Sequence, residues 1–553
     1  MLGTKCKVLV VCCCMLPTWG QCDPGTNLQV HETDIATIHR MIHAGRITAR
    51  QLVDASLARI DAYDQRGPAL NAIICVNPRA RQRADALDAN FLRSGKLSGP
   101  LHGIPMIIKD NYDTSDLPTT AGSLSLAQST PPDDAFQVKQ LRDAGAIILA
   151  KSNMAEFAFS PYETLGSALP GHTRNPYATD HVPAGSSGGT AAAIAASLAV
   201  VGLGTDTGNS IRGPASHTAL VGIRSTMGLT SRDGIVPLFL DHDIGGPMAR
   251  SVADAAAVLQ VIAGYDPADP VTAAARAHPG PDYLQQLDPR GLEGARLGVV
   301  RQVSNRPAAD PEVLLRFQQA LDALRRAGAT VIDPVTLPVY DTIAPNAYWC
   351  PRFKYDLENY LKSLGPLAPV RTMAAILESG QFHPSIRSRL QFFAQFSGPL
   401  ENYRNFRQAQ AHRQRLQSAV GELMRQQELD ALVYPTWSNP PRRIGDLESP
   451  HGDNSQILSP QTGFPAITVP MGYVRETLPV GLQLMGLAWT EATLIKLAYA
   501  YEQATHHRVA PRTTPPSPDA AVTRSNLQFD PRDQQTCFLG KRLLAGVLVV
   551  CLV

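Results

Sequence analysis

Two serines and one lysine stand out because of the residues that surround them. Residues Ala184–Pro214 read AGSSGGTAAAIAASLAVVGLGTDTGNSIRGP, with Ser186 in an opening Gly/Ser turn and Ser210 in a closing one, 24 residues later. Glycines around both serines let the backbone take positive φ and come close to a ligand with its N–H groups aimed at it. Upstream, Gly103-Ile104-Pro105-Met106-Ile107-Ile108-Lys109-Asp110 is a short apolar run ending in lysine. That is the pattern of a buried strand delivering one amine to its end. A serine hydroxyl attacks a carbonyl once a base takes its proton, and a lysine that loses its charge on burial can be that base. Each feature alone has a plainer reading: a Gly/Ser cluster is commonly a pair of ordinary loops, and a strand-end lysine is commonly solvated.

Taken together the blocks are more specific. GIPMIIKD, AGSSGGTAAAIAAS and GTDTGNSIRGP are similar, in that order, to three blocks of the amidase signature family, and weaker similarity runs from about Asp34 to about Arg508. The likeness is greatest to bacterial peptide amidases and aryl- or acyl-amidases. It implies an α/β fold with a central mixed β-sheet covered by helices on both faces. It also implies a Ser–cis-Ser–Lys triad: Ser210 as nucleophile, Ser186 as relay behind a cis Gly185–Ser186 peptide, and neutral Lys109 as base. Backbone N–H groups of Thr207, Gly208, Asn209 and Ser210 would form the oxyanion hole. Gly185, Asp206 and Arg212 would hold these turns from behind.

The reaction so implied is hydrolysis of a carboxamide C–N bond to a carboxylate and ammonia or an amine, through an acyl-enzyme, with no metal and no cofactor. One departure is visible. Many relatives carry Gly-Gly-Ser before the nucleophile, and this chain has Gly208-Asn209-Ser210. Asparagine tolerates left-handed backbone angles better than other non-glycine residues, so the turn survives, with a side chain that narrows the pocket. The alternative within the same family is the A subunit of a glutamine-dependent tRNA amidotransferase, which shares the triad and works in a stable complex. A catalytically dead binding protein is disfavoured because all three triad residues are present. Gly185-Ser186-Ser187-Gly188-Gly189 also fits the G-x-S-x-G elbow of α/β-hydrolases, but that elbow needs a strand directly before it. Here Asp180-His181-Val182-Pro183-Ala184 precedes, with a proline and no apolar run. The histidines His181, His217 and His242 need no catalytic role in a Ser–Ser–Lys scheme.

The elements that must position these groups follow from periodicity. Thr33–Tyr63 carries two sets of apolar residues at helical spacing, so two amphipathic helices joined near Gly45 are expected. Further helices are expected over Asn77–Leu92, Asp133–Ala144 (with Gly145 as C-cap), Thr190–Ala199, Ser251–Ile262, Glu312–Ala327 and Glu491–Ala504. Strands are expected at the Lys109 run and at Ala146–Ala150, Leu297–Val300, Thr330–Ile332, Ala431–Pro435, Ala466–Pro470 and Val480–Met485, and Leu220–Gly228 resembles the family's strand-and-turn continuation beyond Ser210. Thr119–Ser123 reads as a turn near the site, and Lys151 and Glu156 as a strand end and a helix start. Asp266–Pro289 reads as a Pro/Asp-rich linker, and residues 340–425 as aromatic-rich helices that, by the family resemblance, lie over the site.

Length and charge bound the rest. The chain has 553 residues, and 50 basic against 48 acidic residues give a net charge of +2 with no long single-sign run. Nothing there suits a nucleic-acid or polybasic membrane surface. The partner expected is a small-molecule or peptide amide, taken by a monomer or homodimer. Five of the nine cysteines lie in the first 22 residues, and the rest lack C-x-x-C spacing, which argues against zinc or a disulfide framework. A lone Cys75–Cys350 bridge stays open. Residues 1–20, with Lys5 and Lys7 before an apolar Val8–Leu16, resemble a signal peptide, which predicts export to the periplasm or medium. The catalytic domain is expected over 21–512 as one unit. Residues 513–553 read as a disordered tail whose apolar end, Leu543–Val553, is too short to span a membrane.

Overall fold

A computed structural model describes residues 31–338, 340 and 352–516. The expected signal segment, Cys350 and residues 517–553 lie outside them. The strands are β1 (Ile73–Val76), β2 (Pro105–Lys109), β3 (Ile147–Ser152), β4 (Val201–Asp206), β5 (Val221–Arg224) and β6 (Ile244–Ala249). They continue with β7 (Arg296–Val299), β8 (Thr330–Ile332), β9 (Ala431–Pro435), β10 (Ala466–Val474) and β11 (Leu478–Met485). All join one mixed sheet in the order β1-β3-β2-β4-β6-β5-β10-β11-β9-β7-β8. Third in that order, β2 runs parallel to both β3 and β4, while β4 pairs antiparallel with β6.

Alternation along β2 divides two cores. Met106 and Ile108 join the core with Ile38, Val252 and Leu324, while Ile107 joins the opposite core with Ala191–Ala196 and the helix Ala49–Tyr63. The two-residue period therefore sends Lys109 to the side covered by the Ala-rich helix. That helix spans Gly188–Ala195 and lies almost on the backbone of β4: a Cβ on Gly202 would fall 2.6 Å from Thr190, and one on Gly204 2.9 Å from Ser187 Oγ. Small residues on both partners permit this approach.

The helix stops four residues short of the expected Ala199. Its last carbonyls are taken by three arginines instead of a further turn. Arg59 donates to Ala196 O (2.7 Å) and Ser197 O (2.9 Å), Arg250 to Ile194 O (3.1 Å) and Ala199 O (2.9 Å), and Arg508 to Ala195 O (3.2 Å). Guanidiniums satisfy orphan C=O groups and suit the negative end of a helix dipole. Ser197 turns the chain with a φ of +53°, and β4 begins at Val201.

Most other elements fall where periodicity puts them, with two corrections. Asp266–Pro289 is not a free linker: it holds 3-10 turns at Pro270–Ala277 and Tyr283–Gln286, and Tyr283 is buried in the main core. One buried aromatic anchors a stretch whose composition is otherwise that of a loop. The tail boundary also moves. Thr514 and Pro515 accept hydrogen bonds from Arg59 (3.0 Å each), Tyr63 bonds Pro515 O (2.8 Å), and Thr513 bonds Pro176 O. Backbone carbonyls dock this proline-rich segment, and composition does not reveal that.

Candidate active site

Lys109 is wholly buried at the end of β2. Its Nζ lies 2.7 Å from Ser186 Oγ and 2.7 Å from Thr205 Oγ1, with Thr205 O at 3.4 Å. Asn111 Nδ2 donates to the same Thr205 hydroxyl (3.1 Å). Burial pushes the amine down from its ordinary value to about 7, against the opposing pull of the Asp206 and Asp243 carboxylates. The solvated strand-end reading of Lys109 is thereby excluded.

Ser186 follows a cis Gly185–Ser186 peptide just before the Ala-rich helix. Its carbonyl accepts from Ala155 N (3.1 Å), and a Cβ on Gly185 would fall 2.3 Å from Glu163 O, so only glycine fits there. Ser187 points elsewhere. Its Oγ donates to Thr205 O (3.2 Å) and accepts from Thr205 N (3.3 Å), pinning the turn to β4. No strand precedes the turn, which agrees with the rejection of the hydrolase elbow.

The second turn leaves β4 at Asp206. That carboxylate accepts from Ile211 N (3.2 Å), Arg212 N (3.4 Å) and Arg212 Nε (3.0 Å), with Arg224 Nη1 at 3.2 Å. Burial pushes Asp206 up, and the Arg212 and Arg224 guanidiniums outweigh it, so its pKa falls below the usual carboxylate range. Arg212 also donates to Gly208 O (2.7 Å), Ser455 O (3.0 Å) and Gln483 Oε1 (2.9 Å). Through these bonds Asp206 and Arg212 tie the turn to the end of β4.

At the top of the turn Ser210 is 5% exposed, and its Oγ donates to Asn209 Oδ1 (3.3 Å). No hydrogen bond joins Ser186 and Ser210 among the described residues. Asn209 Nδ2 reaches Pro161 O (3.4 Å), so this asparagine ties the Ser210 turn to the loop that carries Pro161. The backbone N–H groups of Thr207, Gly208, Asn209 and Ser210 donate to no other described residue. Gln456 packs on Gly208, with its Oε1 3.0 Å from where a Cβ would stand.

The histidines stay apart from this centre. His181 bonds Asp180 (2.7 Å), and His217, driven down to about 3 by burial, packs on Trp437 with ring centroids 4.6 Å apart. Burial and then the Arg413, Arg224 and Arg352 guanidiniums hold His242 well below its ordinary range. Residues that sequence reasoning missed are Thr205, Asn111 and Asp243. Thr205 lies inside a quoted block and could have been found there. Asp243 is one acid among many, far from Lys109 in sequence, with nothing local to mark it. Among the described residues no cluster of His, Cys, Asp and Glu could hold a metal, and no helix is long and apolar enough to cross a membrane.

A buried lysine bonded to a serine at the end of one strand, with a second Gly/Ser turn at the end of the neighbouring strand, is the arrangement a serine-dependent amide hydrolase needs. The chain belongs to the amidase signature family, whose sequence model, described as Amidase, matches residues 51–495. The protein is therefore an amidohydrolase. It is similar to the peptide amidase of Stenotrophomonas maltophilia, at 40% identity and a TM-score of 0.79 over 87% of this chain and 99% of that one. It is 34% identical to the A subunit of the glutamyl-tRNA(Gln) amidotransferase of Acinetobacter baumannii (strain AYE), over 86% of this chain and 96% of the relative. The corresponding protein of Thermotoga maritima is 28% identical, with a TM-score of 0.68 over 86% and 96% of the two chains.

Proposed function

We propose that the chain is a free-standing amidase, monomer or homodimer, that cleaves a linear, peptide-like carboxamide through an acyl-enzyme on Ser210. The observation that carries the amide-cleaving chemistry, which both readings below share, is Lys109, fully buried, held 2.7 Å from Ser186 Oγ and lowered to about 7 by burial. A neutral amine there takes the Ser186 proton while Ser186 takes that of Ser210. The Ser210 oxygen then adds to the substrate carbonyl. This requires the Ser210 hydroxyl to leave Asn209 Oδ1 and turn to Ser186. The oxyanion falls to the undonated N–H groups of residues 207–210, where one such donor is worth about 3 kcal/mol. When the C–N bond breaks, the Lys109 proton returns through Ser186 to the leaving nitrogen. Water then repeats the sequence on the acyl ester, releasing the carboxylate and restoring Ser210.

The peptide amidase at 40% identity supports a peptide-like substrate. A second reading, the A subunit of a glutamyl-tRNA(Gln) amidotransferase, has the support of the curated relatives, at 34% for the A. baumannii protein. Ammonia release by the purified chain alone, across peptide amides, arylamides, fatty amides and glutamine, separates the two. Rapid turnover of peptide amides is expected, and activity on glutamine alone would favour the amidotransferase. Export is part of the proposal, on the signal-like residues 1–20. Its check is the N-terminal residue of protein recovered from periplasm or medium, and full-length protein retained in the cytoplasm would oppose it.

A further inference from the structure

Asp243 is buried, and each of its oxygens has a task. Oδ1 accepts from the Thr207 hydroxyl at 2.5 Å, at the first residue of the proposed oxyanion turn. Oδ2 accepts from Leu238 N (2.8 Å) and Phe239 N (3.0 Å), which folds Leu238–Asp243 into a tight strap over the end of β4. The strap's outer side is held by the aromatic-rich insert. On the helix Arg352–Ser363, Asp356 Oδ2 accepts from Leu240 N (3.0 Å) and Arg352 pairs with Asp241 (2.6 Å). The Phe239 ring lies 6.1 Å from that of Phe393 on the next insert helix but one. An unbroken polar path thus runs from the insert, through the strap, to Thr207.

We propose that Asp243 is a positioning residue that fixes the oxyanion turn through Thr207 and registers it against the insert. A turn whose N–H groups must meet a developing charge needs its place set before the substrate arrives, because small displacements cost much of an oxyanion donor's effect. The four N–H groups from Thr207 to Ser210 have no intramolecular acceptor to hold them among the described residues, so the turn's position comes from side chains. From below, Asp206 binds Ile211 N and Arg212 N. From above, Thr207 Oγ1 on Asp243 is the bond that reaches the turn's first residue. Two of the Asp243 partners are backbone N–H groups that can only donate, and the Thr207 hydroxyl donates to it here, so alanine at 243 removes the acceptor for all three, whereas asparagine can keep the tie by donating to the Thr207 hydroxyl.

The inference rests on the reading of Lys109 and residues 207–210 given above, so its test begins from Lys109→Ala. A Lys109→Ala variant with normal rates would overturn that reading, whatever Asp243 does. With Lys109 shown essential, Asp243→Ala and Thr207→Val are compared with wild type and with the double variant, on one peptide amide, with thermal melts to confirm folding, and Asp243→Asn, which can keep the tie but lacks the charge, is used for the pH profile. Both single variants are expected to lose about 10–100-fold in kcat, within the range for weakened oxyanion donors, with KM little changed. The double variant should be no worse than the poorer single one, because both break one bond.

The pH profile supplies a readout that looser packing would not move. The charged groups around Lys109 are Asp243 and Asp206, the latter with Arg212 and Arg224; Asp356 and Arg352 lie beyond the strap. Asp243→Asn removes one carboxylate that supports the ammonium, so the rising limb of kcat/KM should move to lower pH. Thr207→Val keeps that carboxylate and should leave the limb in place. A Thr207→Val kcat within twofold of wild type, an unmoved limb in Asp243→Asn, or multiplicative losses in the double variant would each overturn the proposal. Should either Asp243 variant fail to fold, Thr207→Val decides by its kcat alone.

Discussion

Two lysines end neighbouring parallel strands of the sheet, Lys109 on β2 and Lys151 on β3, one residue out of step across the ladder, and both are fully buried. Lys151 Nζ faces Tyr112 O (2.7 Å), Thr119 Oγ1 (3.0 Å), Pro118 O (3.1 Å) and Thr114 Oγ1 (3.4 Å), with the Asp110 carboxylate at 3.4 Å. The two threonine hydroxyls give their own protons away, to Tyr112 O and Leu117 O. Every partner of Lys151 is therefore an acceptor, matched to an ammonium's three protons. Lys109 meets two hydroxyls and one distant carbonyl, and no carboxylate pairs with it among the described residues. A hydroxyl can donate as well as accept, so a neutral amine at Lys109 keeps its lone pair satisfied by Ser186. Lys151 sits in a cage of acceptors that ties the loop of residues 112–119 to β3. Lys109 sits against hydroxyls, and burial lowers its pKa.

The sharpest way to break this contrast is to exchange the chemistry at each position. Ser210→Ala should abolish hydrolysis in a folded protein, and more than a few per cent residual activity would reject it as nucleophile. Lys109→Ala should cost about 10²–10⁴ in kcat/KM, the usual share of a general base. Lys109→Arg should not restore the rate, because a guanidinium stays charged and cannot accept the proton. In wild type, kcat/KM should rise through a single ionisation near the lowered Lys109 value of about 7. An active Arg variant with the wild-type pH profile would leave Ser186 without a base.

Lys151→Met should act on stability instead. It leaves the Asp110 carboxylate buried without its partner, a change that costs about 3–5 kcal/mol in comparable sites, read as a lower denaturation midpoint. Molecules that remain folded should turn over at near the wild-type rate. A Lys151→Met enzyme of normal stability would mean that the acceptor cage does not hold a charge.

Lys109→Met should go the other way and stabilise the fold. The native lysine is lowered from 10.5 to about 7, so between those values the unfolded chain binds the extra proton and wild-type stability rises with pH. Removing the amine removes that penalty. The gain in melting temperature should therefore be largest below pH 7 and shrink as the pH approaches 10. A Met variant less stable than wild type at pH 6 would show that the bonds to Ser186 and Thr205 outweigh the cost of burial.

Much of this contrast could be read from the chain, and the limits are instructive. Lys109, Ser186 and Ser210 stood out because three blocks, in order, resemble the amidase signature family; each block alone reads as an ordinary loop or strand end. The sheet was legible because buried strands and amphipathic helices carry their own periods. Lys151 read only as a strand end, since its cage comes from residues 110–119 folding back over β3, which no local pattern encodes. Asp243 was invisible for the same reason. The docking of Thr513–Pro515 and the anchoring role of Tyr283 depend on single long-range contacts inside segments of loop-like composition. Period and composition report what a segment buries on average; they say nothing about one carbonyl meeting one arginine.

The adjacent serines give the smallest effect. Ser186 Oγ touches Lys109, while Ser187 Oγ bridges the N–H and C=O of Thr205. Ser186→Ala breaks the path from nucleophile to base, and its loss should approach that of Lys109→Ala. Ser187→Ala leaves that path whole but takes from the buried Thr205 N–H its Ser187 acceptor and leaves Thr205 O only the long contact to Lys109, at about 1–3 kcal/mol of stability. Because Thr205 also holds Lys109, a small slack there should reach the rate, at less than about tenfold. The two variants, assayed on one amide and melted side by side, should separate cleanly: Ser186→Ala by rate, Ser187→Ala by melting temperature. Equal losses of rate would mean that Ser187 shares the proton path, and the division of labour between the neighbouring hydroxyls would fall with it.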